Sequence, residues 1–410
     1  MSDGRVTLAQ SVAQRAARKM MRKAAPGRLA AVAATLVLSV LGSAAALAAP
    51  TATSPAAAPV AATAAATTAA PAAELVLLGV AGGPTWYGAD SPHGISSALV
   101  VDGKAYIVDL GSGAYRQLRR AGIKPGAEQA VFLTHLHTDH IIDLASLLMY
   151  DPSARRRAKA SLQIFGPGRR GALPPLAAGL AGDPVIHAEN PGAGTADLVD
   201  SVVAGMAADL NIRVRSEGVP DVRGFFQAHD IPVPPGVVQD PNTNPAPPMD
   251  PFEVWRDERV TVTAILVPHG LVYPNFAYRF DTAAGSVVFS GDTAVSPNLE
   301  RLARGADILV HEAIDPAWVD HIVGPKPWDA RQQALARQLL EAHTTPQQAG
   351  EAATRAGVKR LVLSHLVPGD APAAHWLSAQ DTFKGPVVLG QDLMRIPVMQ
   401  IPLTQAVKQP

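Results

Sequence analysis

The sequence feature that most constrains the fold is a cluster of three histidines and one aspartate directly behind an apolar run. Residues 134–140 read T-H-L-H-T-D-H. Side chains two positions apart in an extended segment point the same way, so His135 and His137 can face one ion. Asp139 and His140 follow, at the point where the chain turns into a predicted helix. The pattern therefore predicts a strand-to-helix turn that offers two ligands to each of two neighbouring metal ions.

Three further candidate ligands each follow an apolar segment in the second half of the chain. Asp292 lies in a Gly-Asp-Thr turn after the predicted strand 286–290, where a carboxylate can bridge two cations. His269 and His365 each follow an apolar strand and can complete the two coordination shells. Nitrogen and oxygen ligands without sulfur suit zinc, and manganese or iron also fit. The chain contains no cysteine, which excludes disulfides and thiolate ligands.

Taken in order, these motifs resemble those of the metallo-β-lactamase superfamily, in particular its ribonuclease Z and arylsulfatase-like branch. The resemblance covers residues 74–396. The segments that carry it are 78–84, 106–111, 134–140, 267–270, 276–280, 289–293 and 362–366. It implies an αββα sandwich, in which two sheets pack face to face with helices outside. Composition alone indicates only the α/β class.

The resemblance also implies a full ligand set for two Zn²⁺ ions, with Mn²⁺ or Fe as alternatives. The implied ligands are His135, His137 and His269 for one ion, Asp139, His140 and His365 for the other, and Asp292 as a bridge. Asp139 is also counted among the catalytic residues. The histidine at position 343 matches a general acid of the ribonuclease Z branch, and Glu312 matches the carboxylate that orients it. The alternative for His343 is an incidental place at a helix start. Asp109 is a candidate to orient a ligand histidine, or else a turn carboxylate.

The activity that follows from this resemblance is metal-dependent ester hydrolysis by a hydroxide that bridges the two metals. We expect a small-molecule phosphodiester or sulfate ester as the substrate. The alternatives are a lactonase or other ester hydrolase, a ribonuclease Z-type endonuclease, and a noncatalytic module that uses the metals structurally. A β-lactamase is disfavoured, because the cysteine-using types are excluded and Asp292 does not belong to their site.

Charge argues at this stage against a nucleic acid partner. Of the 35 basic and 35 acidic residues, the first 73 positions hold seven and one, so 28 and 34 remain and the net charge is −6. Nucleic acid binding usually requires the opposite sign. Ribonuclease Z often carries a protruding basic arm, and the segment 172–257 has no cluster of lysines or arginines to match it. We therefore expect nucleic acid to be an unlikely partner.

The chain begins with segments that we exclude from the fold. Residues 1–48 combine a basic leader, the apolar run 29–40 and an A-x-A-like site at 46–48, which predicts a cleaved export signal and a periplasmic or secreted protein. An uncleaved anchor is the alternative, but the apolar run is short of the roughly 20 residues of a stable span. Residues 49–73 are mostly Ala, Thr and Pro and predict a linker. Residues 397–410 form a predicted tail.

Elsewhere the apolar patterns predict strands that bunch at the start of each half and then alternate with helices. The predicted helices are 115–121, 141–150, 296–303, 330–341, 345–356 and 374–383. The segment 172–257 is an insertion rich in Gly, Pro and Asp, and its prolines forbid regular structure over much of it. It is either a lid over the metal site or a plain surface insertion.

Overall fold

A computed structural model describes residues 73–400 of the chain, with the exception of residues 86–87, 151, 160, 177–181 and 183. The predicted export signal (1–48) lies outside the described residues. So do the predicted linker (49–73) up to residue 72 and the predicted tail (397–410) from residue 401. None of the helices in the described part of the chain combines the length and hydropathy that a bilayer-spanning segment needs.

Fourteen strands are present among the described residues. They are β1 (Ala73–Gly79), β2 (Ser96–Val101), β3 (Lys104–Val108), β4 (Glu128–Phe132), β5 (Leu162–Pro167), β6 (Phe226–Ile231), β7 (Phe252–Arg256), β8 (Val260–Leu266), β9 (Phe276–Thr282), β10 (Ser286–Phe289), β11 (Ile308–Ile314), β12 (Leu361–Val367), β13 (Val387–Leu389) and β14 (Arg395–Pro397). They form two seven-stranded sheets, in the orders β14-β1-β2-β3-β4-β5-β6 and β13-β12-β11-β10-β9-β8-β7. Both sheets are mixed. In the first sheet the strands from β3 to β6 pair in parallel, and in the second those from β10 to β13 do; the remaining pairs are antiparallel.

Eleven α-helices lie within the same described residues. They are α1 (Ala114–Arg120), α2 (Thr138–Ile141), α3 (Leu144–Met149), α4 (Pro152–Ala158), α5 (Thr195–Gly205), α6 (Ala207–Ser216), α7 (Pro297–Leu302), α8 (Pro316–Val323), α9 (Ala330–Ala342), α10 (Pro346–Ala356) and α11 (Ala373–Leu377). Local sequence explains their ends. At α10, for example, Thr345 caps the first turn in a capping box with Gln348, Pro346 opens the helix, and Gly357 ends it in the left-handed conformation.

The two sheets pack face to face through a shared apolar core. Phe132 of β4 lies edge-on to Phe280 and Tyr278 of β9, with ring centroids 5.2 and 5.6 Å apart. This core contains buried side chains from both sheets. The outer face of the first sheet buries a second cluster with α1, α3 and α5. The outer face of the second sheet is covered by α7 and α10, whose buried side chains extend the shared core. The predicted αββα sandwich is therefore confirmed.

The insertion 172–257 departs from the prediction. It contains the helices α5 and α6, and its strands β6 and β7 form the outer edges of the two sheets. Seven of its prolines lie within residues 232–248, between those two strands, where neither a helix nor a strand forms. The stretch before them carries apolar side chains at helical spacing, and Val199 and Val222 pack into the core of the first sheet. The prediction of irregular structure holds for residues 232–248, but it missed α5, α6, β6 and β7, because it extended a local proline signal to neighbouring residues.

Candidate metal centre

The predicted ligands all lie close to the carboxyl end of a strand. His135 and His137 follow β4, Asp139 and His140 lie in α2, and the remaining three follow β8, follow β10 or lie in β12. Because β8, β10 and β12 run in one direction, their carboxyl ends meet at one edge of the second sheet. The fold thus brings residues from distant parts of the sequence to one place.

All seven side chains predicted as ligands converge into two groups that share Asp292. In each group the candidate ligand atoms lie within 4.8 Å of one another. The groups are His135, His137, His269 and Asp292, and Asp139, His140, His365 and Asp292. The shared carboxylate has one oxygen 3.7 Å from Nε2 of His269 and the other 3.2 Å from Nε2 of His365. This places Asp292 between the two groups, where it can reach both.

The arrangement fits divalent cations by the chemistry of its donors. Imidazole nitrogens and carboxylate oxygens aim at common points, with His269 Nε2 3.3 Å from His137 Nδ1 and His140 Nε2 3.2 Å from His365 Nε2. Nε2 of His135 and Oδ1 of Asp292 are buried and have no hydrogen-bond partner among the described residues. Buried polar atoms are rarely left unpaired, so a cation at each group would satisfy them.

The outer nitrogens of three of these histidines are fixed by neighbouring groups. Nδ1 of His140 lies 2.9 Å from Oδ2 of Asp109, and Nδ1 of His269 lies 2.8 Å from the carbonyl oxygen of Ala342. Nδ1 of His135 lies 3.1 Å from the hydroxyl of Thr134, which also donates to Asp109. Such contacts set the tautomer and the ring orientation of a metal ligand. Asp109 thus lies where it can orient His140.

Electrostatics prepares the cluster for cations. Burial holds the pKa of His135 well below its usual value and lowers that of His269 to about 4, so both rings stay neutral. Burial opposes ionisation of Asp139, but the hydrogen bond from His365 and the charges of His140 and His365 together outweigh it and lower its pKa to about 2. Burial likewise opposes charge on His140, yet Asp292 and then Asp109 raise its pKa. A metal ion must displace that proton from His140 on binding.

His343 and Glu312 form a hydrogen-bonded pair at the rim of the cluster. Nδ1 of His343 lies 3.0 Å from Oε1 of Glu312, which also accepts a hydrogen bond of 2.8 Å from the backbone N–H of Thr293. Burial disfavours charge on His343, but the carboxylates of Glu312 and then Asp292 outweigh it and raise its pKa to about 9. The ring lies 4.8 Å from that of His269. The pair is thus held beside the predicted ligands.

Three residues that contribute to this site were not predicted from the sequence. The carbonyl of Ala342 holds His269, and any residue could supply it. Thr134 belongs to the histidine motif but contributes its hydroxyl rather than a metal ligand. Gly82 leaves room for His365, because an added Cβ would lie 2.4 Å from Nδ1 of that ring. The glycine pair 82–83 in the opening loop is the one signal that could have pointed to this close approach.

Comparison with known proteins places this geometry in a family. The family described as the metallo-beta-lactamase superfamily matches residues 91–205, and one described as a beta-lactamase superfamily domain matches residues 197–366. The chain is 32% identical over 313 residues to ribonuclease Z of Mycobacterium sp. (strain KMS), which covers 74% of this chain and 90% of that protein. The chain belongs to the metallo-β-lactamase superfamily.

Other superfamily members agree with this placement. Ribonuclease Z of Mycobacterium bovis (strain BCG / Pasteur 1173P2) is 29% identical over 331 residues, which cover 79% of this chain and 98% of that protein. The crystal structure of human tRNase Z, short form, has a TM-score of 0.50 and 21% identity, and the match covers 79% of this chain and 99% of that chain. That likeness supports the shared fold. The chain is a metallohydrolase of this superfamily.

These relatives correct one prediction. A small-molecule ester substrate, with nucleic acid an unlikely partner, was the wrong expectation, because relatives that match most of the chain are named ribonuclease Z. The error lies in the use of net charge. A net charge of −6 is a sum over the whole surface, whereas a phosphate group meets the local field of one site. Bound cations are often the largest charges in such a site, and the sequence charge omits them.

Proposed function

We propose that this protein is a zinc-dependent ribonuclease that hydrolyses phosphodiester bonds of RNA in the manner of ribonuclease Z. The observation that carries the proposal is a single constellation. Two ligand groups share Asp292, and the His343–Glu312 pair stands beside them. The substrate class comes from the names of the relatives. This chain matches 90% and 98% of the length of two proteins called ribonuclease Z.

The ligand groups would hold one Zn²⁺ each, with Asp292 shared between them. When bound, two such ions would lower the pKa of a water molecule and stabilise negative charge on a phosphate. The chain's own residues keep the ligands ready for this. Asp109 orients His140, and the carbonyl of Ala342 orients His269. Gly83 donates its N–H to Oδ2 of Asp139 at 3.0 Å, which fixes that carboxylate.

His343 would supply the proton that the leaving oxygen needs. Its Nδ1 is engaged by Glu312, so Nε2 is the nitrogen free to act toward a substrate. Glu312 favours the protonated ring, because a buried carboxylate beside an imidazole stabilises its positive charge. The sugar alkoxide released from a phosphodiester is a poor leaving group, which makes protonation of that oxygen valuable. The contact with Glu312 and the raised pKa of His343 support this proposed role.

The proposal is tested with purified protein and labelled RNA. We expect RNA cleavage that a chelator abolishes and that Zn²⁺ restores better than Mn²⁺ or Fe²⁺, with two zinc ions per chain by elemental analysis. His343→Ala should lower the rate while the metals stay bound. His321→Ala is the matched control, since His321 is exposed on α8, and it should cleave RNA at the normal rate. Hydrolysis of an aryl sulfate or a lactone, with RNA left intact, would contradict the proposal.

A further inference from the structure

A small cavity of about 30 Å³ lies behind the candidate metal centre, between the two sheets. One side is lined by Ser97 of β2 and Val108 of β3, and the other by Phe289 of β10 and Ser364 of β12. His365 and Glu312 also line it. The cavity thus touches both a predicted ligand and the partner of His343.

Four buried polar atoms on these lining residues have no hydrogen-bond partner within the described part of the chain. They are Oγ of Ser97, Oγ of Ser364, Oε2 of Glu312 and Nδ1 of His365. A buried polar atom nearly always has a partner, either in the protein or in an ordered water. Four such atoms around one cavity point to a shared partner within it.

His365 differs in this respect from the other buried histidines of the centre. The outer nitrogens of His135, His140 and His269 each meet a protein oxygen within 3.1 Å. In His365 the Nε2 atom lies 3.2 Å from Asp292, inside the candidate ligand group, so a cation held there would occupy Nε2 and the ring would carry its proton on Nδ1. A ligand histidine almost always donates that proton to a carboxylate, a carbonyl or a water. Among the described residues, neither a carboxylate nor a carbonyl accepts a hydrogen bond from Nδ1 of His365.

We propose that this cavity is a binding site for one or two buried water molecules that position His365. A water needs roughly 10–15 Å³ of such space and two to four polar partners, and the cavity offers enough of both. The water accepts a hydrogen bond from the Nδ1–H of His365 and donates one to Oε2 of Glu312. The hydroxyls of Ser97 and Ser364 complete its hydrogen bonds. Ser97 and Ser364 are therefore positioning residues that act through this water.

Metal affinity is the decisive measurement, because it does not depend on any substrate. We expect Ser97→Ala and Ser364→Ala each to weaken one of the two bound ions, with a loss of about 10–100-fold in chelator competition, as is usual for groups that orient ligands. The other ion should keep its affinity. In cobalt-substituted protein, the visible absorption of one ion should change with it. Retention of normal affinity for both ions in both variants would overturn the proposal.

Ser286→Ala is the matched control for loss of a buried hydroxyl. Ser286 is buried on β10, and its hydroxyl contacts Asp307 within the protein. This variant should unfold more easily but bind both ions normally; an equal loss of metal affinity would mean that general destabilisation explains all three variants. A high-resolution crystal structure of the unsubstituted protein gives a second measurement that requires no variant to fold. Ordered water within hydrogen-bonding distance of Ser97, Ser364 and His365 supports the proposal, and a dry cavity refutes it.

Discussion

The side chain of His343 is joined to that of Glu312 by a hydrogen bond of 3.0 Å, and this bond fixes which nitrogen of the imidazole faces the site. His343 directly follows Ala342, whose carbonyl holds the candidate ligand His269. The end of α9 therefore supplies a contact to the metal centre and the candidate acid from adjacent residues. Proton transfer and metal binding can be tested separately because they involve different atoms of this segment.

Removal of the acid should affect substrates according to their leaving group. For His343→Ala we expect RNA cleavage to slow by about 10²–10⁴-fold, the usual contribution of general acid catalysis. A p-nitrophenyl phosphodiester should be affected much less, since its leaving phenolate needs no proton. Rates on both substrates, with metal content measured in parallel, check this prediction. Equal losses on the two substrates would show that His343 positions the substrate or supports the fold.

Loss of the shared carboxylate should cost metal as well as activity. In Asp292→Ala we expect fewer than two ions per chain and no measurable hydrolysis, because both ligand groups include this residue. Elemental analysis and a rate assay measure the two effects. Asp250→Ala is a suitable control, since the Asp250 side chain is 94% exposed. Full activity with unchanged metal content in Asp292→Ala would show that the bridge is wrongly assigned.

The carboxylate that orients His140 can be tested without a change in backbone or size. Asp109 has a φ of 59°, a conformation that asparagine also tolerates, so Asp109→Asn removes the charge and one acceptor oxygen with little strain on the backbone. We expect metal affinity to fall by about tenfold, the lower end of the range for such contacts. Chelator competition measures the affinity, and circular dichroism of the metal-free variant checks its fold. Unchanged affinity would reduce Asp109 to a turn residue.

His311 should make the metal-free protein sensitive to acid. Burial lowers its pKa from 6.5 to about 4, so the folded state binds fewer protons than the unfolded state between these values. Its stabilising contribution is complete above pH 6.5 and is lost as the pH falls through 4, by an amount on the order of 3 kcal/mol. Denaturant unfolding of the unsubstituted and His311→Gln proteins from pH 7.5 to 4 measures the difference. Parallel curves for the two proteins would contradict the assignment.

We propose that the protein is exported. The basic leader and the A-x-A-like site at Ala46, Leu47 and Ala48 predict a mature chain that begins near Ala49. Amino-terminal sequencing of the protein from the culture medium or periplasm tests this. Recovery of the chain in the cytoplasm with Met1 still present would refute it. The outcome does not affect the proposed chemistry, which rests on residues of the folded domain.

Much of the site could be predicted because its ligands are encoded locally. Each of Asp292, His269 and His365 follows an apolar segment, and a chain that leaves a buried strand presents its next polar residues at the sheet edge. The order of these motifs along the sequence and the resemblance to the superfamily then assigned the seven candidate ligands to two metal ions. The structure brings the same seven side chains together. The αββα sandwich was implied by the resemblance to the superfamily, and the predicted pattern of strands and helices is consistent with it.

The parts that sequence reasoning missed depend on tertiary contacts. The predicted helix 374–383 is instead α11 followed by a 3₁₀ turn, Ser378–Asp381, which packs closely on Gly350 of α10. The sequence of residues 374–383 contains no local pattern that predicts this contact with Gly350. The contact between the carbonyl of Ala342 and His269 could not be predicted either, because every residue has a backbone carbonyl. The substrate class was missed because net charge does not describe the field of a metal centre.

Candidate ligands from both sheets meet in one centre, so metal binding would be coupled to folding. Neither sheet alone holds a complete group, since His135 and His137 follow a strand of the first sheet whereas His269 follows a strand of the second. Ions that bind only the docked sheets stabilise them by mass action, by about 2.7 kcal/mol when free metal exceeds its dissociation constant a hundredfold. Zinc-poor growth medium should therefore lower the yield of folded protein, independently of any effect on catalysis.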